Sequence, residues 1–399
     1  MTNTENFNDF GICRDAGVCG GCTHQGVEYC EQLAMKEAEV RQLFEEGEIT
    51  PDRFDSIEGC ALEHRFRYRN KMEYTFGDLV KDGPMTLGMH KVKNFLSIVT
   101  VDECQIVDED FNRILRGTLD FCTERGYSQF HKRKHVGLMR YLIVRKGIRT
   151  GELLVNIVTS GEDGFDEEGY LAAIKALSLD NELVGVLRTV NLGVADKVSC
   201  DELHVLFGRD YYMEEIMGLR FKVSAFSFFQ TNVEAVERLY SEAIALIDDF
   251  SSKTVYDLYC GTGTISQVLA LKASKVIGVE LVADAVESAK VNASINGLGN
   301  CDFRCGDVFE VLDSINDVDM PDVIVVDPPR AGMSEKAVDK IASYGVNEIV
   351  YISCNPKSLV KNLRQFETLG YKTSYAKAFD NFPMTSHTEC IVSLSKSHE

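Results

Sequence analysis

DLYCGTGTISQVLA, residues 257–270, is the stretch on which the reading of this chain turns. It begins at the end of an apolar strand pattern, TVYDLYCG, passes through Gly261 and Gly263, and continues into a helical pattern. Glycines at such a turn let the backbone fold back tightly and approach a ligand closely. A second strand pattern, KVIGVE, ends in Glu280, where a carboxylate can accept hydrogen bonds from ribose hydroxyls. Asp307 follows Gly306 in RCGD and is placed to reach an adenine edge. A dinucleotide fingerprint needs Gly or Ala three residues after the second glycine, but Ser266 stands there, and the Gly-Lys-Ser/Thr of a phosphate-binding loop is absent. A ligand with a ribose and no pyrophosphate fits better, which favours S-adenosylmethionine over NAD; the same turn also occurs with no ligand at all.

Outward from this turn, PDVIVVDPP and EIVYISCNP are further buried-strand candidates separated by helical stretches. Alternating β and α elements imply a parallel sheet covered on both faces, a Rossmann-like α/β domain. Just upstream, TNVEAVERLYSEAIALI opens with a Thr-x-x-Glu capping box, Thr231 to Glu234, and keeps Val233, Val236, Tyr240, Ala243 and Ile247 at helical spacing. Residues 28–47 read as another helix, with Leu33, Val40 and Leu43 among many polar residues. From 57 to 222, short apolar runs broken by Gly, Asp and Asn predict β-rich structure. Its clearest hairpin is MRYLIVRKGIRTGELLVNIVTS, with Gly147 and Gly151 in or near the turn. The expected divisions are 1–56, a cysteine-bearing segment and helix; 57–222, a β-rich domain; and 223–399, the α/β domain.

The 399 residues suffice for two or three domains, and 45% hydrophobic with 26% charged residues is ordinary for a globular protein. The polar, acidic start MTNTENFNDFGIC has no apolar core, so no signal peptide is expected, and no apolar run is long enough for a bilayer. A cytoplasmic location without membrane association follows as the expectation. In that setting thirteen cysteines argue for metal ligands, nucleophiles or core thiols rather than disulfides.

VIVVDPPRAG sets Asp327, Pro328 and Pro329 just past a strand end, where open α/β sheets bind ligands. Many amino-group methyltransferases have an aromatic after the two prolines to stack on the target base; Arg330 stands there instead, which points away from an exocyclic amine. The next strand ends in Cys354, followed by Asn355 and Pro356. A cysteine there also suits a small core position, but it shares a sheet edge with Glu280 and Asp327. A thiolate has a clear use at that edge. Carbon 5 of uracil is a poor nucleophile until something adds to carbon 6, and a base must later remove the carbon-5 proton. In DNFPMTSHTECIVSL, His387 and Glu389 are the candidate bases, with Glu389 preferred.

Taken together, FSFFQTN, DLYCGTGT, GVE, DPPRAG, ISCNP and SHTEC closely resemble the RNA uracil-5 methyltransferase family. The resemblance implies that Gln230, Tyr259, Glu280 and Asp327 contact S-adenosylmethionine, that Cys354 is the nucleophile and that Glu389 removes the proton. Thr264 departs from the family, which often has Asn there. Cys13, Cys19 and Cys22, with a distant Cys104, resemble the set that binds a [4Fe-4S] cluster in members acting on 23S ribosomal RNA. Zinc is the other reading of such thiols, and Cys30 is a rival fourth ligand. The transfer-RNA branch lacks these cysteines, so 23S ribosomal RNA is the expected substrate. Twelve residues precede Cys13, so the small β-barrel that larger members carry there is expected to be missing.

A net charge of −20 demands local basic surface in a protein that binds RNA. LEHRFRYRNKMEY alternates strictly, which in a strand puts Arg65, Arg67, Arg69 and Lys71 on one face. HKRKHVGLMRYLIVRKGIR has seven Lys or Arg and no acid. Both are expected to meet phosphates, with a flipped or single-stranded uridine as target and no obligate protein partner. Other readings are a transfer-RNA uracil-5 enzyme, a guanine-amino methyltransferase of ribosomal RNA, an Fe–S redox protein with a nucleotide-binding domain, and an RNA-binding protein without turnover.

Overall fold

The computed structural model describes residues 11–308, 311 and 320–397. The first ten residues, on which the expectation of no signal peptide largely rests, lie outside the described set. Among the described residues no helix is long and apolar enough to cross a membrane. The chain forms two compact units: one takes the chain up to Gly26, Ala61–Glu215 and Val223–Phe226; the other takes Val27–Cys60, Ile216–Lys222 and everything from Ser227.

These boundaries differ from those read in the sequence, because residues 27–60 pack with the C-terminal half. Strand Arg53–Glu58 pairs in parallel with Tyr371–Phe379 and adds an edge to its sheet. Helix Tyr29–Glu46 buries Gln32, Lys36, Val40 and Phe44. That stripe keeps i, i+4 spacing but half of it is polar, so hydrophobic periodicity could not show what it packs on.

The sheet of this unit has eight strands in the order Arg53–Glu58, Tyr371–Phe379, Glu389–Lys396, Glu348–Ser353, Val323–Val326, Thr254–Leu258, Lys275–Glu280, Cys301–Cys305. All neighbours are parallel except that Glu389–Lys396 runs antiparallel to both of its own. The central strands are short apolar runs, and Val323–Val326 is buried throughout, as a sheet covered on both faces requires. Chain order reverses at Thr254–Leu258, which has Lys275–Glu280 on one side and Val323–Val326 on the other. The crevice beyond the carboxyl ends of strands at such a reversal is where open α/β sheets hold ligands.

Helix starts fix what happens at that edge. Helix Val233–Ala245 is capped by Asn232, whose side-chain oxygen accepts the Ala235 N–H at 3.2 Å. The cap is thus one residue later than expected, and with Ala235 in the third helical position the expected box at Thr231 is replaced by a simple cap. Helix Pro356–Thr368 is capped by Asn355 with Pro356 in its first turn, so Cys354 sits between a strand end and a helix N-terminus.

The other unit carries a seven-stranded sheet, Asn94–Thr100, Met85–Lys91, Lys71–Asp78, Met139–Lys146, Glu152–Thr159, Glu182–Val190, Glu202–Gly208. The expected hairpin is present, with Val144 opposite Val155 and Gly151 at a positive φ of 69° in its turn. Glu182–Val190 then returns parallel to Glu152–Thr159 after helix Glu167–Lys175.

Asn362, buried in helix Pro356–Thr368, ties the loop after Asp327 to the sheet. Its Oδ1 accepts the Met333 N–H at 2.9 Å and the Tyr351 hydroxyl at 2.8 Å, and its Nδ2 donates to the Met333 carbonyl at 2.9 Å. Asn362→Ala strands three buried polar groups and is expected to cost about 2–3 kcal/mol. Thermal unfolding should then fall by several degrees; an unchanged midpoint would show that the tie carries no stability.

Candidate active site

The turn after Thr254–Leu258 is built from left-handed residues: Tyr259 at φ 69°, Gly261 at 54° and Gly263 at 73°. Gly263 has no alternative, since a Cβ there would lie 2.7 Å from the Phe303 ring and 2.9 Å from the Ala289 Cβ. Tyr259 accepts a conformation that costs about 1–3 kcal/mol for a non-glycine residue. Its N–H and that of Cys260 both donate to the Val279 carbonyl, at 3.0 and 3.1 Å. Glu280 closes the turn, accepting the N–H groups of Gly261 at 3.0 Å and Val282 at 2.9 Å. Asp307 lies close enough to Tyr259 for its charge to help burial raise the phenol above its ordinary range.

Two residues that the sequence reading passed over complete this part. Asp257 is fully buried and its Oδ1 has no partner among the described residues. Burial pushes its carboxyl up to about 8, with Asp327 and Glu280 adding to the effect. Ser266, where a dinucleotide fold wants Gly or Ala, donates its hydroxyl to Asp257. Tyr240, read as one of several core residues on a helix, receives the Gln230 side-chain amide on its hydroxyl at 3.1 Å. Its phenol is driven far up by burial, with the charges of Asp327, Asp257 and Glu389 contributing. Gln230 and the three acids therefore surround one point. Two buried carboxyls and the half-buried Asp327 near one phenol make a pattern that a core does not need.

Cys354 stands one residue beyond Ser353, which pairs with Cys390 on the antiparallel neighbour. Glu389 precedes Cys390, so the register sets Cys354 and Glu389 opposite each other at the ends of adjacent strands. Burial, with the charges of Glu389 and Asp327 adding and Arg330 opposing, raises the Cys354 thiol to about 11. Burial likewise lifts Glu389 to about 8, with Asp327 adding and Arg330 opposing. Asp327 is lifted to about 7 by burial. The main chain joins the two loops: the Arg330 carbonyl accepts the Asn355 amide at 2.8 Å and the Ser358 hydroxyl at 3.2 Å. His387, the other candidate base, is exposed, with its ring edge-on to Phe382.

In the other unit the basic runs differ from expectation. Residues 65–70 form no strand: Arg67 has a left-handed φ of 52°, and the N–H groups of Arg67 and Arg69 donate to the Gln105 and Ile106 carbonyls. Four cations on one strand face is therefore corrected to an irregular segment running beside residues 105–107. Arg140 is buried, with its guanidinium on the carbonyls of Asn191, Gly193 and Ala195; Lys146 pairs with Asp108 at 2.5 Å and Lys132 with Asp196 at 2.6 Å. Arg133 and Lys134 remain exposed. A small cavity lined by Phe76, Phe130, Lys132, Arg140 and Asp196 lies in this unit and holds none of the predicted site residues.

The cysteine loop also lies here. All thirteen thiols are free. Cys22 is raised to about 12 by burial and then by the charges of Cys19 and Cys13, and Cys104 to about 12 by burial with Cys22, Cys19 and Cys13 contributing. Among the described residues no three His, Cys, Asp or Glu side chains are gathered as around a metal ion. Cys30 is exposed and belongs to the other unit.

Residues 173–397 match the tRNA (uracil-5-)-methyltransferase family. An uncharacterized RNA methyltransferase of Clostridium acetobutylicum is 46% identical over 96% of this chain and 83% of its own length. The chain belongs to the RNA uracil-5 methyltransferase family. An uncharacterized RNA methyltransferase of Clostridium tetani is 44% identical with the same coverage. Among solved structures, the Pyrococcus abyssi tRNA (uracil-54, C5)-methyltransferase in complex with S-adenosyl-L-homocysteine matches with a TM-score of 0.76 and 26% identity, over 94% of this chain and 86% of that one. This family member is thus an RNA methyltransferase by descent, and its motif residues stand at the carboxyl edge of the sheet.

The raised carboxyls give the site a signature. Glu389 moves from 4.5 to about 8 on folding, so between those values the folded chain holds a proton that the unfolded chain releases. Its stabilising contribution is complete below about pH 4 and is lost as pH rises through about 8. Glu389→Gln is therefore expected to melt with the wild type at pH 5 and several degrees above it at pH 8.5. Parallel melting curves across that range would contradict the burial of this charge.

Proposed function

We propose that the protein methylates carbon 5 of a uracil in RNA, with S-adenosylmethionine as donor, Cys354 as nucleophile and Glu389 as base. The observation that carries this reading is the meeting of Cys354 with Glu389 and Asp327 at the strand edge. The glycine turn held by Glu280 belongs to the same edge.

The donor fits the residues present. Glu280 offers carboxylate oxygens for a ribose, Tyr259 and Asp307 flank the turn, Gly261 and Gly263 leave the backbone bare, and Asp257 keeps an unpartnered buried oxygen. Gln230 and Asp327 complete the set. Bound there, S-adenosylmethionine supplies an electrophilic methyl group. Cys354, at about 11, is a thiol at neutral pH, so its proton passes to water as the sulfur adds to carbon 6. Arg330 and the helix N-terminus just beyond favour the thiolate. Addition makes carbon 5 an enolate carbon able to take the methyl group. Glu389, raised to about 8, first gives its own proton to water; as carboxylate it takes the carbon-5 proton, the carbon 5–carbon 6 double bond re-forms, and the sulfur leaves with its electron pair. A target base must leave its stack to reach this edge, which suits a flipped or single-stranded uridine.

The substrate proposed is 23S ribosomal RNA, on the strength of the cysteine set. Cys13, Cys19, Cys22 and Cys104 would hold a [4Fe-4S] cluster, as the family resemblance implies. These thiols lie within charge range of one another but, among the described residues, are not gathered as around a metal ion, so the loop would have to close on the cluster. The cluster would brace the loop against residues 102–107 and take no part in methyl transfer. A second reading has its own observation: the solved relative acts on transfer RNA, so transfer RNA is the alternative substrate.

RNA carrying 5-fluorouridine has no carbon-5 proton to lose. With donor present it is expected to trap the wild type covalently, while Cys354→Ala forms no adduct and loses at least about 10³-fold in turnover. Full activity of Cys354→Ala would remove the mechanism. Methylation assays on ribosomal and transfer RNA decide the substrate. For the cluster, protein purified without oxygen should contain about four irons per chain and lose them in Cys22→Ser; stoichiometric zinc instead would overturn it.

A further inference from the structure

We propose that Lys36 and Gln32, on helix Tyr29–Glu46, are positioning residues for the proton-abstracting step, acting through the loop 380–388 that delivers Glu389. The inference rests on the assignment of Glu389 as base.

Loop 380–388 joins strand Tyr371–Phe379 to strand Glu389–Lys396, and four residues from outside hold it. Lys36, 1% exposed, donates to Asp380 Oδ1 at 2.6 Å and to the Phe382 carbonyl at 3.2 Å, and Asp380 is itself fully buried. Gln32 accepts the Met384 N–H at 3.0 Å and places its amide on the Met384 sulfur at 3.3 Å. From the opposite side the cap residue Asn232 donates to the Asn381 carbonyl at 2.7 Å. Cys60, at the end of the same N-terminal segment, donates its thiol to the Asp380 carbonyl at 3.1 Å and meets Arg238 at the same distance.

The loop needs such holding. Met384 sits at φ 67°, a left-handed conformation that a methionine adopts only under constraint. Gln32 grips that residue, five positions before Glu389. A buried ion pair adds little to stability beyond what apolar residues would give, and fixing one arrangement is among its attested uses. Here the arrangement fixed is the approach of the chain to Glu389. Because helix Tyr29–Glu46 shows a polar stripe to this loop and lies far before the catalytic motifs in sequence, nothing in those motifs reveals it.

Displacing the base while sparing Cys354 and the donor site should block the step after methyl transfer. With ordinary uridine RNA, Lys36→Met and Gln32→Leu are each expected to accumulate methylated enzyme–RNA adduct about tenfold above wild type. S-adenosylmethionine affinity should stay within about twofold, and Lys36→Arg should restore much of the turnover. Glu389→Gln serves as the reference. If it accumulates adduct while the two variants turn over normally, or lose activity without adduct, the base assignment stands and the positioning role is wrong. If Glu389→Gln accumulates none, the base assignment fails and this inference with it. Gln32→Leu leaves no buried charge behind, so it answers the question even where Lys36→Met does not fold.

Discussion

The pairing of Glu348–Ser353 with Glu389–Lys396 places the proposed chemistry. In an antiparallel ladder the register is discrete, and a slip of one residue would send every side chain to the other face. The match of Ser353 with Cys390 therefore leaves one place for Cys354 and one for Glu389, facing each other across the strand ends. Both flanking strands are tied down elsewhere, Glu348–Ser353 through Tyr351 to Asn362 and Glu389–Lys396 through its second neighbour Tyr371–Phe379. The site inherits the rigidity of the sheet, and at Glu389, the first residue of its strand, also that of the tethered loop before it, which is what a reaction needing three aligned groups demands.

The same placement creates an electrostatic conflict. Buried Asp257 and Glu389 and half-buried Asp327 lie near Tyr240, and each is pushed well above an ordinary carboxylate. Arg330 is the cation that opposes this at Glu389 and Cys354, and it is exposed. Acids held near neutrality can gain or lose a proton at modest cost, which suits a base that must be a carboxylate in one step and an acid after it. The negative cluster also suits a sulfonium donor, whose positive charge would relieve it.

Legibility followed the range of the forces involved. Short apolar runs such as VIVV at 323–326 state their burial within themselves, so the parallel sheet and its order of strands and helices could be read locally. The glycine turn was legible because Gly263 answers to a steric demand next to it. Tyr240 and Asp257 were not, since each sits in a pattern that core packing alone explains, and only the fold brings them to Asp327. The arginine stripe at 65–71 failed for a related reason: alternation in sequence assumes extended backbone, and Arg67 is left-handed. Arg140 looked like a phosphate ligand and instead satisfies three carbonyls. A charge read without its partners says little about what it binds.

The segment 27–60 carries the same lesson into the organisation of the chain. Sequence order attaches it to the cysteine loop, while strand pairing attaches it to the sheet, and pairing prevails because the edge of Tyr371–Phe379 would otherwise present unpaired backbone groups. Once Arg53–Glu58 is seated there, the preceding helix must lie close by, and its buried polar stripe has to find partners or pay for desolvation. Asp380 and the Met384 backbone are those partners. Val40 and Phe44 join the N-terminal helix to the apolar core, and hydrogen bonding by Gln32 and Lys36 commits it to the loop before Glu389. That is why Lys36 is a poor predictor of structure from sequence and yet, in the proposed mechanism, helps set where Glu389 stands.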